Sequence, residues 1–386
     1  MKRGTAVFLK YPEPGKVKTR LAKSIGAESS ASAFRVMVGR VFENLRQAQP
    51  DFVAVVYDPP DQEQQIRSWL EPWLSTFAGE VLLIPQAPGD LGARLEAGIA
   101  RCFEHFPDAA LTVTGADCIE IEPEIYGGAW AELETGADAV YGPTDDGGYY
   151  LVGLKRPIPE LFQNVPWSVE ETLQASLDVA REAGLAIELL PQCSDIDTVR
   201  EWEAAQEKLA ARPALFFDRD GVVNESPGPG YVLDLESFHL QEGIGESIAL
   251  LHDCGWLAIL VTSQRGVGKG LMSSQELHNI HREMQRELEE IGGAFDGIYA
   301  FTDLPDCSYA AKPDPAMIEA AISDFGIDRS RSWMIGDADR DIKMAQLAGL
   351  AGTIRVVGEK AVGIEADCNL TEISELPELL QNILQF

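Results

Sequence analysis

Short apolar runs alternate with longer amphipathic stretches through the first half of the chain. The candidate strands are TAVFLK, FVAVVYD, VLLIPQ, LTVTGAD, DAVYGPT, YYLVGL and AIELLP, and the candidate helices lie near 28–47, 61–76, 92–105, 122–135 and 169–183. Strand-length apolar runs that alternate with helical stretches are typical of α/β architecture with a largely parallel sheet.

A second series of the same kind begins after Pro213. Its strands are ALFFD, WLAILVTS, GIYAF and WMIGD, and its helices lie near 243–254, 273–290, 314–325 and 339–348. This order is again typical of a doubly wound α/β fold. The stretch TVREWEAAQEKLAA is predicted to be a helix that joins the two series. We therefore predict two α/β domains, at residues 1–211 and 212–386.

The net charge of the chain limits the classes of molecule that it is expected to bind. Its 31 Lys plus Arg face 62 Asp plus Glu, a formal net charge of -31. Nucleic acid and anionic membranes would repel such a protein, so neither is an expected partner. The apolar run at the start is too short for a signal peptide or a membrane span. The six cysteines form no C-x-x-C pair, which favours a reducing compartment. We expect a cytoplasmic protein that acts on small molecules.

A set of polar residues follows the strands of the second series. The stretch FFDRDGVVNES places Asp218 and Asp220 at a strand end, the edge where open α/β sheets bind ligands. Further polar residues follow in order: Thr262, Ser263, Lys312, Asp337 and Asp341. A D-x-D pair alone is equally typical of a solvated turn. The ordered set, with each member at a strand end or in a loop, favours a phosphate and metal site.

Over residues 213 to about 360, this set resembles the haloacid dehalogenase superfamily, in particular the subgroup of histidinol-phosphate and heptose-bisphosphate phosphatases. The resemblance implies a haloacid dehalogenase-like Rossmannoid fold with a minimal cap. It also implies an Mg²⁺-dependent phosphatase in which Asp218 forms an aspartyl-phosphate and Asp220 is the general acid and base. The implied phosphoryl-binding residues are Thr262 and Lys312, and the implied metal site comprises Asp218, the backbone carbonyl of Asp220, Asp337 and a supporting Asp341.

This segment also departs from the subgroup. Cys307 stands alone where relatives carry a zinc loop, so no zinc is expected. Ala311 replaces a basic residue that often precedes the motif lysine, which leaves the phosphorylated substrate open. Ser263 could donate to a phosphate. Arg265 and Lys269 are predicted either to reach a second anionic group of the substrate or to be solvated loop charges.

Cations gather behind the first strand, in the stretch KYPEPGKVKTRL. A turn that leads into a helix suits an anion, because backbone N–H groups add to the side chains. The stretch lacks the G-x-x-x-x-G-K-[ST] pattern of a Walker A loop, and alone it is equally typical of a basic surface turn. Carboxylates follow the later strands, at Asp117, Asp145, Asp146, Asp195 and Asp197. Cations beside carboxylates favour a metal–diphosphate site.

The motifs KYPEPGKVKTRL, GDLGAR, DGGYY and DIDT resemble a family with the type A glycosyltransferase (nucleotide-diphospho-sugar transferase) fold, over residues 4 to about 208. That family includes loosely assigned glycosyltransferases and nucleotidyltransferases and is similar to phospholactate guanylyltransferase. The resemblance implies that Asp117 and Asp197 bind Mg²⁺, with Asp195 as a close rival. The residues implied to bind the nucleotide are Lys10, Lys18, Arg20 and Arg94, and those implied to shape the acceptor side are Asp146, Gly147 and Gly148.

Together these features predict a bifunctional enzyme of sugar or polyol nucleotide metabolism, with Mg²⁺ in both domains. A phosphatase would be fused to a nucleotidyltransferase that acts on a sugar phosphate. The partners would be a phosphorylated sugar or polyol and a nucleotide. Two alternatives remain for the first domain: a glycosyltransferase that uses a nucleotide-sugar donor, and a non-catalytic nucleotide-binding module beside an active phosphatase.

Overall fold

The computed structural model describes residues 1–206, 208–228, 230–305, 307–358 and 360–384, and the chain divides into two compact units. The N-terminal unit comprises Met1–Trp69 and Gly79–Leu209, and the C-terminal unit comprises Leu70–Ala78 and Ala210–Phe386. The predicted division between residues 211 and 212 stays a prediction. No helix among the described residues has both the length and the apolar character needed to cross a bilayer.

The N-terminal half of the chain forms one mixed sheet. Its strands are β1 (Lys2–Lys10), β2 (Phe52–Asp58), β3 (Glu80–Pro85), β4 (Ala109–Thr114), β5 (Ala139–Pro143), β6 (Tyr149–Leu154) and β7 (Ile187–Leu189). The helices are α1 (Thr19–Ile25), α2 (Ala27–Gln47), α3 (Glu63–Leu74), α4 (Leu91–His105), α5 (Pro123–Thr135), α6 (Thr172–Glu182) and α7 (Val199–Ala205). The strand order is β3-β2-β1-β4-β6-β5-β7, and β6 runs antiparallel to β4 and β5.

The C-terminal unit contains a parallel sheet in the order β10-β9-β8-β11-β12-β13. Its strands are β8 (Ala214–Phe217), β9 (Leu257–Ser263), β10 (Gly297–Phe301), β11 (Trp333–Gly336), β12 (Gly352–Val356) and β13 (Cys368–Leu370). The helices are α8 (Ile244–Asp253), α9 (Arg265–Gly268), α10 (Ser274–Ile291), α11 (Ala316–Phe325), α12 (Asp339–Ala348) and α13 (Leu376–Ile383).

The inner strands of each sheet are buried on both faces. Neighbouring residues of a strand point to opposite faces. Phe216 and Phe217 of β8 are both inaccessible to solvent, as are Val53 and Ala54 of β2. Strands covered on both faces are continuous apolar runs, which explains why these segments show no apolar–polar alternation.

The strand order places a switch point in each sheet. From β8 the chain proceeds outward to β9 and β10, and it returns to the other side of β8 with β11. The first sheet does the same: β2 and β3 follow on one side of β1, and β4 lies on the other. Loops diverge at such a point and leave a crevice at the carboxyl ends of the two central strands. The candidate residues after β1 and β4, and after β8 and β11, are therefore brought together.

Most predicted elements are present, and the largely parallel α/β architecture is confirmed. The differences lie at the ends of helices and in short strands. The helical stretch after the first strand is two helices, α1 and α2, because Gly26 between them has φ +88°. The predicted joining helix is shorter and ends at Ala205. The strands β12 and β13 were not predicted.

Candidate active sites

In the C-terminal unit, the two central strands bring Asp218 and Asp337 together. Asp218 directly follows β8, and its N–H donates to the carbonyl of Ile335 in β11 at 3.0 Å. Asp337 directly follows β11. The loop after Asp218 passes close to the second carboxylate, and this requires a glycine. Gly221 has φ +90°, and a Cβ atom there would lie 2.3 Å from Asp337 Oδ2.

A buried ammonium group lies between two carboxylates of this site. Lys312 Nζ donates to Asp218 Oδ1 at 2.7 Å and to Asp341 Oδ1 at 2.9 Å, and the side chains of Lys312 and Asp341 are fully buried. Burial opposes the charge on Lys312, but the two carboxylates outweigh it and raise the pKa of Lys312. Burial likewise opposes ionisation of Asp218, yet the Lys312 charge lowers the pKa of Asp218 below its ordinary value. The Lys312 charge therefore favours the carboxylate form of Asp218.

The acidic residues here fit a divalent metal ion. Asp218, Asp337 and Asp341 each offer one carboxylate oxygen, and these oxygens lie within 4.8 Å of one another. Asp218 Oδ2 and Asp337 Oδ1 are buried and have no hydrogen-bond partner among the described residues. Burial, and after it the Asp218 charge, raise the pKa of Asp337. A cation would relieve this repulsion, and hard oxygen ligands suit Mg²⁺. Lys360 also donates to Asp337 Oδ2.

Asp220 lies at the mouth of this site. Its side chain is 21% exposed and borders a cavity of about 400 Å³. Arg219 donates to its Oδ1, and Gln264 donates to its Oδ2 and also to the hydroxyl of Thr262. The sequence patterns had not indicated Arg219 or Gln264.

The same cavity is strongly cationic. The positively charged residues that line it are Arg265, Lys269, Lys312, Arg340 and Lys360. Among the described lining residues, Asp220 alone is acidic. Ser263 also lines the cavity, and Lys269 Nζ lies 2.8 Å from the Tyr231 hydroxyl. Arg265 and Lys269 therefore border the cavity. Arg340 and Lys360 were missed, although Arg340 follows Asp337 by only three residues.

In the N-terminal unit, Lys18 joins the carboxylates that follow β4 and precede α7. Its Nζ donates to Asp117 Oδ2 at 2.6 Å and to Asp197 Oδ1 at 2.8 Å, and its side chain is 5% exposed. Arg20 donates to Asp197 Oδ2 at 3.0 Å. The pKa of Asp197 is lowered, because Lys18 and Arg20 outweigh the opposing effect of burial. Lys18, predicted to hold phosphates, thus pairs with the two predicted metal ligands.

Asp195, the rival metal ligand, lies in the same group. Its Oδ1 is buried without a hydrogen-bond partner among the described residues. Burial, followed by the Asp117 charge, raises the pKa of Asp195 to about 8. All three carboxylates line one cavity, so the structure brings Asp117, Asp195 and Asp197 together.

Two cavities of opposite charge meet at Asp117 and Asp197. The cationic cavity, about 350 Å³, is lined by Lys10, Lys16, Lys18, Arg20 and Arg94, with Asp117 and Asp197 at one side. The acidic cavity, about 710 Å³, is lined by Asp117, Asp146, Glu170, Asp195 and Asp197, and by Tyr149, Tyr150 and Trp167. Among the described lining residues of the acidic cavity, Arg20 is the single cation. The charged residues that line both cavities are Arg20, Asp117 and Asp197.

The DGGYY segment forms one wall of the acidic cavity. Asp146 Oδ1 accepts from the Thr144 hydroxyl at 2.6 Å and from the Gly148 N–H at 3.1 Å, so it also stabilises its own turn. Gly147 has φ +83°, and a Cβ atom there would lie 2.0 Å from the carbonyl oxygen of Glu170. Asp146 and Gly148 line the cavity, and Gly147 lets the backbone of Glu170 approach the turn closely.

Known proteins resemble the C-terminal unit over most of its length. Residues 309–361 match the sequence profile of the HAD-hydrolase-like family. A D-glycero-beta-D-manno-heptose-1,7-bisphosphate 7-phosphatase of Haemophilus ducreyi is 34% identical over 167 residues, which are 40% of this chain and 89% of that protein. A D-glycero-D-manno-heptose-1,7-bisphosphate 7-phosphatase of Thermosynechococcus vestitus is 36% identical, over 38% of this chain and 80% of that protein. The chain belongs to this HAD-like phosphatase family. We call its C-terminal unit the phosphatase unit.

A solved relative of the phosphatase unit is the D,D-heptose 1,7-bisphosphate phosphatase of B. bronchiseptica, crystallised with magnesium and phosphate. It is 27% identical, covers 44% of this chain and 98% of that chain, and has a TM-score of 0.39.

The N-terminal unit matches a different family. Residues 41–169 match a profile described as an uncharacterized protein conserved in bacteria (DUF2064). A solved protein of Desulfovibrio desulfuricans G20, provisionally named a nucleotide-diphospho-sugar transferase, is 28% identical and covers 54% of this chain and 89% of that chain, with a TM-score of 0.49.

Proposed function

We propose that the phosphatase unit is an Mg²⁺-dependent phosphatase of a phosphorylated sugar or polyol. The observation that carries this proposal is the ion pair of Asp218 with Lys312 at the edge of a cationic cavity. Beside it, one oxygen each of Asp218 and Asp337 has no hydrogen-bond partner among the described residues. Such a site offers a nucleophile, a metal position and cations for the phosphate in one place.

The reaction would proceed in two steps, phosphorylation of Asp218 and then hydrolysis of the aspartyl-phosphate. Asp218 attacks phosphorus, the ester P–O bond breaks, and the leaving oxygen takes a proton from Asp220. Water then attacks the phosphoryl group, Asp220 takes the water proton, and inorganic phosphate leaves Asp218. Thr262 and Lys312 hold the phosphoryl oxygens. When held by Asp218, Asp337, Asp341 and the carbonyl of Asp220, Mg²⁺ supplies positive charge that offsets the repulsion between carboxylate and phosphate.

A sugar bisphosphate is the substrate that we favour. The relatives are named for heptose 1,7-bisphosphate. Arg265 and Lys269 line the cavity together with Arg340 and Lys360, more positive charge than one phosphate needs. A second phosphate would meet these cations. We therefore expect a sugar bisphosphate to have a lower KM than the matching monophosphate.

Asp218→Asn tests this mechanism. The amide cannot form the aspartyl-phosphate, so we expect hydrolysis of p-nitrophenyl phosphate and of heptose 1,7-bisphosphate to fall by roughly 10³-fold or more. Asp253→Asn, at an exposed end of α8, is the matched control and should retain the parent rate. Equal rates for Asp218→Asn and the parent would exclude Asp218 as the nucleophile.

For the N-terminal unit we propose Mg²⁺-dependent transfer of a nucleotidyl group to a sugar phosphate. The cationic cavity supports a nucleotide, since Lys10, Arg20 and Arg94 can meet its phosphates beside Asp117 and Asp197. The residues that would hold Mg²⁺ are Asp117 and Asp197, and the unpartnered Asp195 oxygen is a third candidate. When bound, the ion would neutralise charge between these carboxylates and the phosphates.

Glycosyl transfer from a nucleotide-sugar donor is the second candidate, and one observation favours it. Five carboxylates line the acidic cavity, which would repel a phosphorylated acceptor. Trp167 and Tyr149 offer aromatic surface there, whereas carboxylates accept hydrogen bonds from hydroxyl groups. An acceptor without a phosphate would therefore suit this cavity better.

Product analysis separates the candidates. Pyrophosphate release from a nucleoside triphosphate plus a sugar phosphate supports nucleotidyl transfer, whereas release of a nucleoside diphosphate from a nucleotide sugar supports glycosyl transfer. Asp117→Asn should abolish either activity, and Asp61→Asn, exposed in the same unit, should not. Nucleotide binding without any turnover would leave the non-catalytic module as the function.

A further inference from the structure

We propose that Arg219 and Gln264 are positioning residues that hold both oxygens of Asp220 in place for proton transfer. This inference rests on the proposed phosphatase function. Neither residue need touch the substrate, because both would act through Asp220.

Arg219 holds one oxygen. Its side chain is fully buried, and its Nε and Nη2 both donate to Asp220 Oδ1, at 3.0 and 2.9 Å. Two N–H groups of one planar guanidinium thus converge on Oδ1 and hold this oxygen more firmly than a single donor would. Burial, and after it the Arg219 charge, hold the pKa of His281 well below its ordinary value. The neighbouring imidazole is therefore neutral.

Gln264 holds the other oxygen and joins it to the phosphate-binding residue. Its side chain is fully buried, and its Nε2 donates to Asp220 Oδ2 at 3.1 Å and to Thr262 Oγ1 at 2.8 Å. Both protons of the amide are thus used. Because the Thr262 hydroxyl accepts from Gln264, its own proton is available for a phosphoryl oxygen. One amide group therefore aligns the proposed acid and base with the proposed phosphate contact.

This arrangement leaves part of Asp220 free for chemistry. Asp220 Oδ2 accepts one hydrogen bond from the described residues, that of Gln264, so it keeps a second acceptor position, and Asp220 borders the cavity. A fixed carboxylate can then give a proton to the leaving oxygen and take one from water without turning between the two steps. Loss of either anchor should mainly impair proton transfer, while Asp218 and Lys312 stay in place.

The test compares leaving groups. The p-nitrophenolate anion leaves without protonation, whereas the alkoxide of glycerol 3-phosphate needs a proton. The ratio of kcat/KM for these two esters reports on proton donation, because kcat/KM covers only the steps up to phosphorylation of Asp218. In Gln264→Leu and Arg219→Met, we expect kcat/KM for glycerol 3-phosphate to fall at least tenfold more than for p-nitrophenyl phosphate. Asp220→Asn should show the same bias in a stronger form.

Matched variants separate positioning from general damage. Gln285→Leu removes another fully buried amide of the same unit, which donates to the carbonyl of Phe295 at 2.9 Å, and should affect both esters equally. Arg219→Lys keeps the positive charge but has fewer N–H donors, so its ratio of kcat/KM for the two esters should lie between those of the parent and Arg219→Met. This variant also provides the test if Arg219→Met fails to fold.

Equal losses on both esters in Gln264→Leu and Arg219→Lys would overturn the positioning role. A parent protein that hydrolyses neither ester nor heptose 1,7-bisphosphate would instead contradict the proposed function itself.

Discussion

Each unit places a lysine ammonium between two carboxylates at a switch point, but in different surroundings. Lys312 lies between Asp218 and Asp341, whose side chains are 4% and 0% exposed. Lys18 lies between Asp117 and Asp197, whose side chains are 32% and 44% exposed. Each group of one lysine and two carboxylates is a triad. The carboxylates of the triad are thus buried in the phosphatase unit and partly exposed to water in the N-terminal unit.

The difference indicates how far each site is formed before ligands bind. Charge interactions are strong where water is absent, so the Lys312 triad is rigid, and the unpartnered oxygens of Asp218 and Asp337 stand ready for a cation. Around Lys18, water reaches the two carboxylates, although the lysine itself is buried, so these contacts are weaker than those of Lys312. We expect a nucleotide with Mg²⁺ to draw Lys18 away from the carboxylates toward the phosphates, which reconciles its present partners with the predicted role.

The largest expected contrast is in stability. Lys312→Met leaves two buried carboxylates without their cation, and breaking such a buried pair typically costs about 3–5 kcal/mol. Lys18→Met should destabilise its unit by only about 1 kcal/mol, because its partners are partly exposed. Hydrogen exchange measured separately for each unit, with Mg²⁺ removed by a chelator, gives both values. Equal losses in the two units would show that burial does not distinguish the triads.

A second contrast concerns Mg²⁺. The ion alone should stabilise the phosphatase unit by about 2.7 kcal/mol at a concentration 100 times its Kd, since it binds a formed site. The N-terminal unit should gain protection from hydrogen exchange only when Mg²⁺ and a nucleotide are both present. Asp337→Asn should remove the first effect and leave the second unchanged. Equal protection of both units by Mg²⁺ alone would contradict the distinction between a formed and an unformed site.

The smallest contrast is the response to pH. The folded-state pKa of Asp195, raised to about 8, lies above its unfolded value near 3.9. The folded state then binds more protons than the unfolded state, so the N-terminal unit should lose stability as pH rises from about 4 to 8. Without divalent metal, Asp195→Asn should flatten the fall of apparent Tm over this pH range, whereas Asp61→Asn should not. An unchanged slope in Asp195→Asn would assign it to another group.

The sequence predicted both sheets and the strand ends that carry each site, because buried strands are apolar runs and carboxylates after them are conspicuous. It could not predict which cation pairs with which carboxylate. The sequence assigned Lys18 to phosphates, yet in the structure it contacts Asp117 and Asp197. Which group Lys18 meets depends on the path of its loop, where Lys18 itself has a positive φ. Gln264 was missed for a similar reason. A glutamine after a strand is common in sequences, and its role becomes visible only when the fold places Asp220 next to it.

The glycine turns beside the two sites have a genetic consequence. A methyl group at position 147 would meet the Glu170 carbonyl in the N-terminal unit, and one at position 221 would meet the Asp337 carboxylate in the phosphatase unit. Each replacement strains one loop and leaves the other unit untouched. Gly147→Ala and Gly221→Ala are therefore candidate separation-of-function alleles. Crossed in a cell, they would show by complementation whether the two proposed activities must reside on one polypeptide.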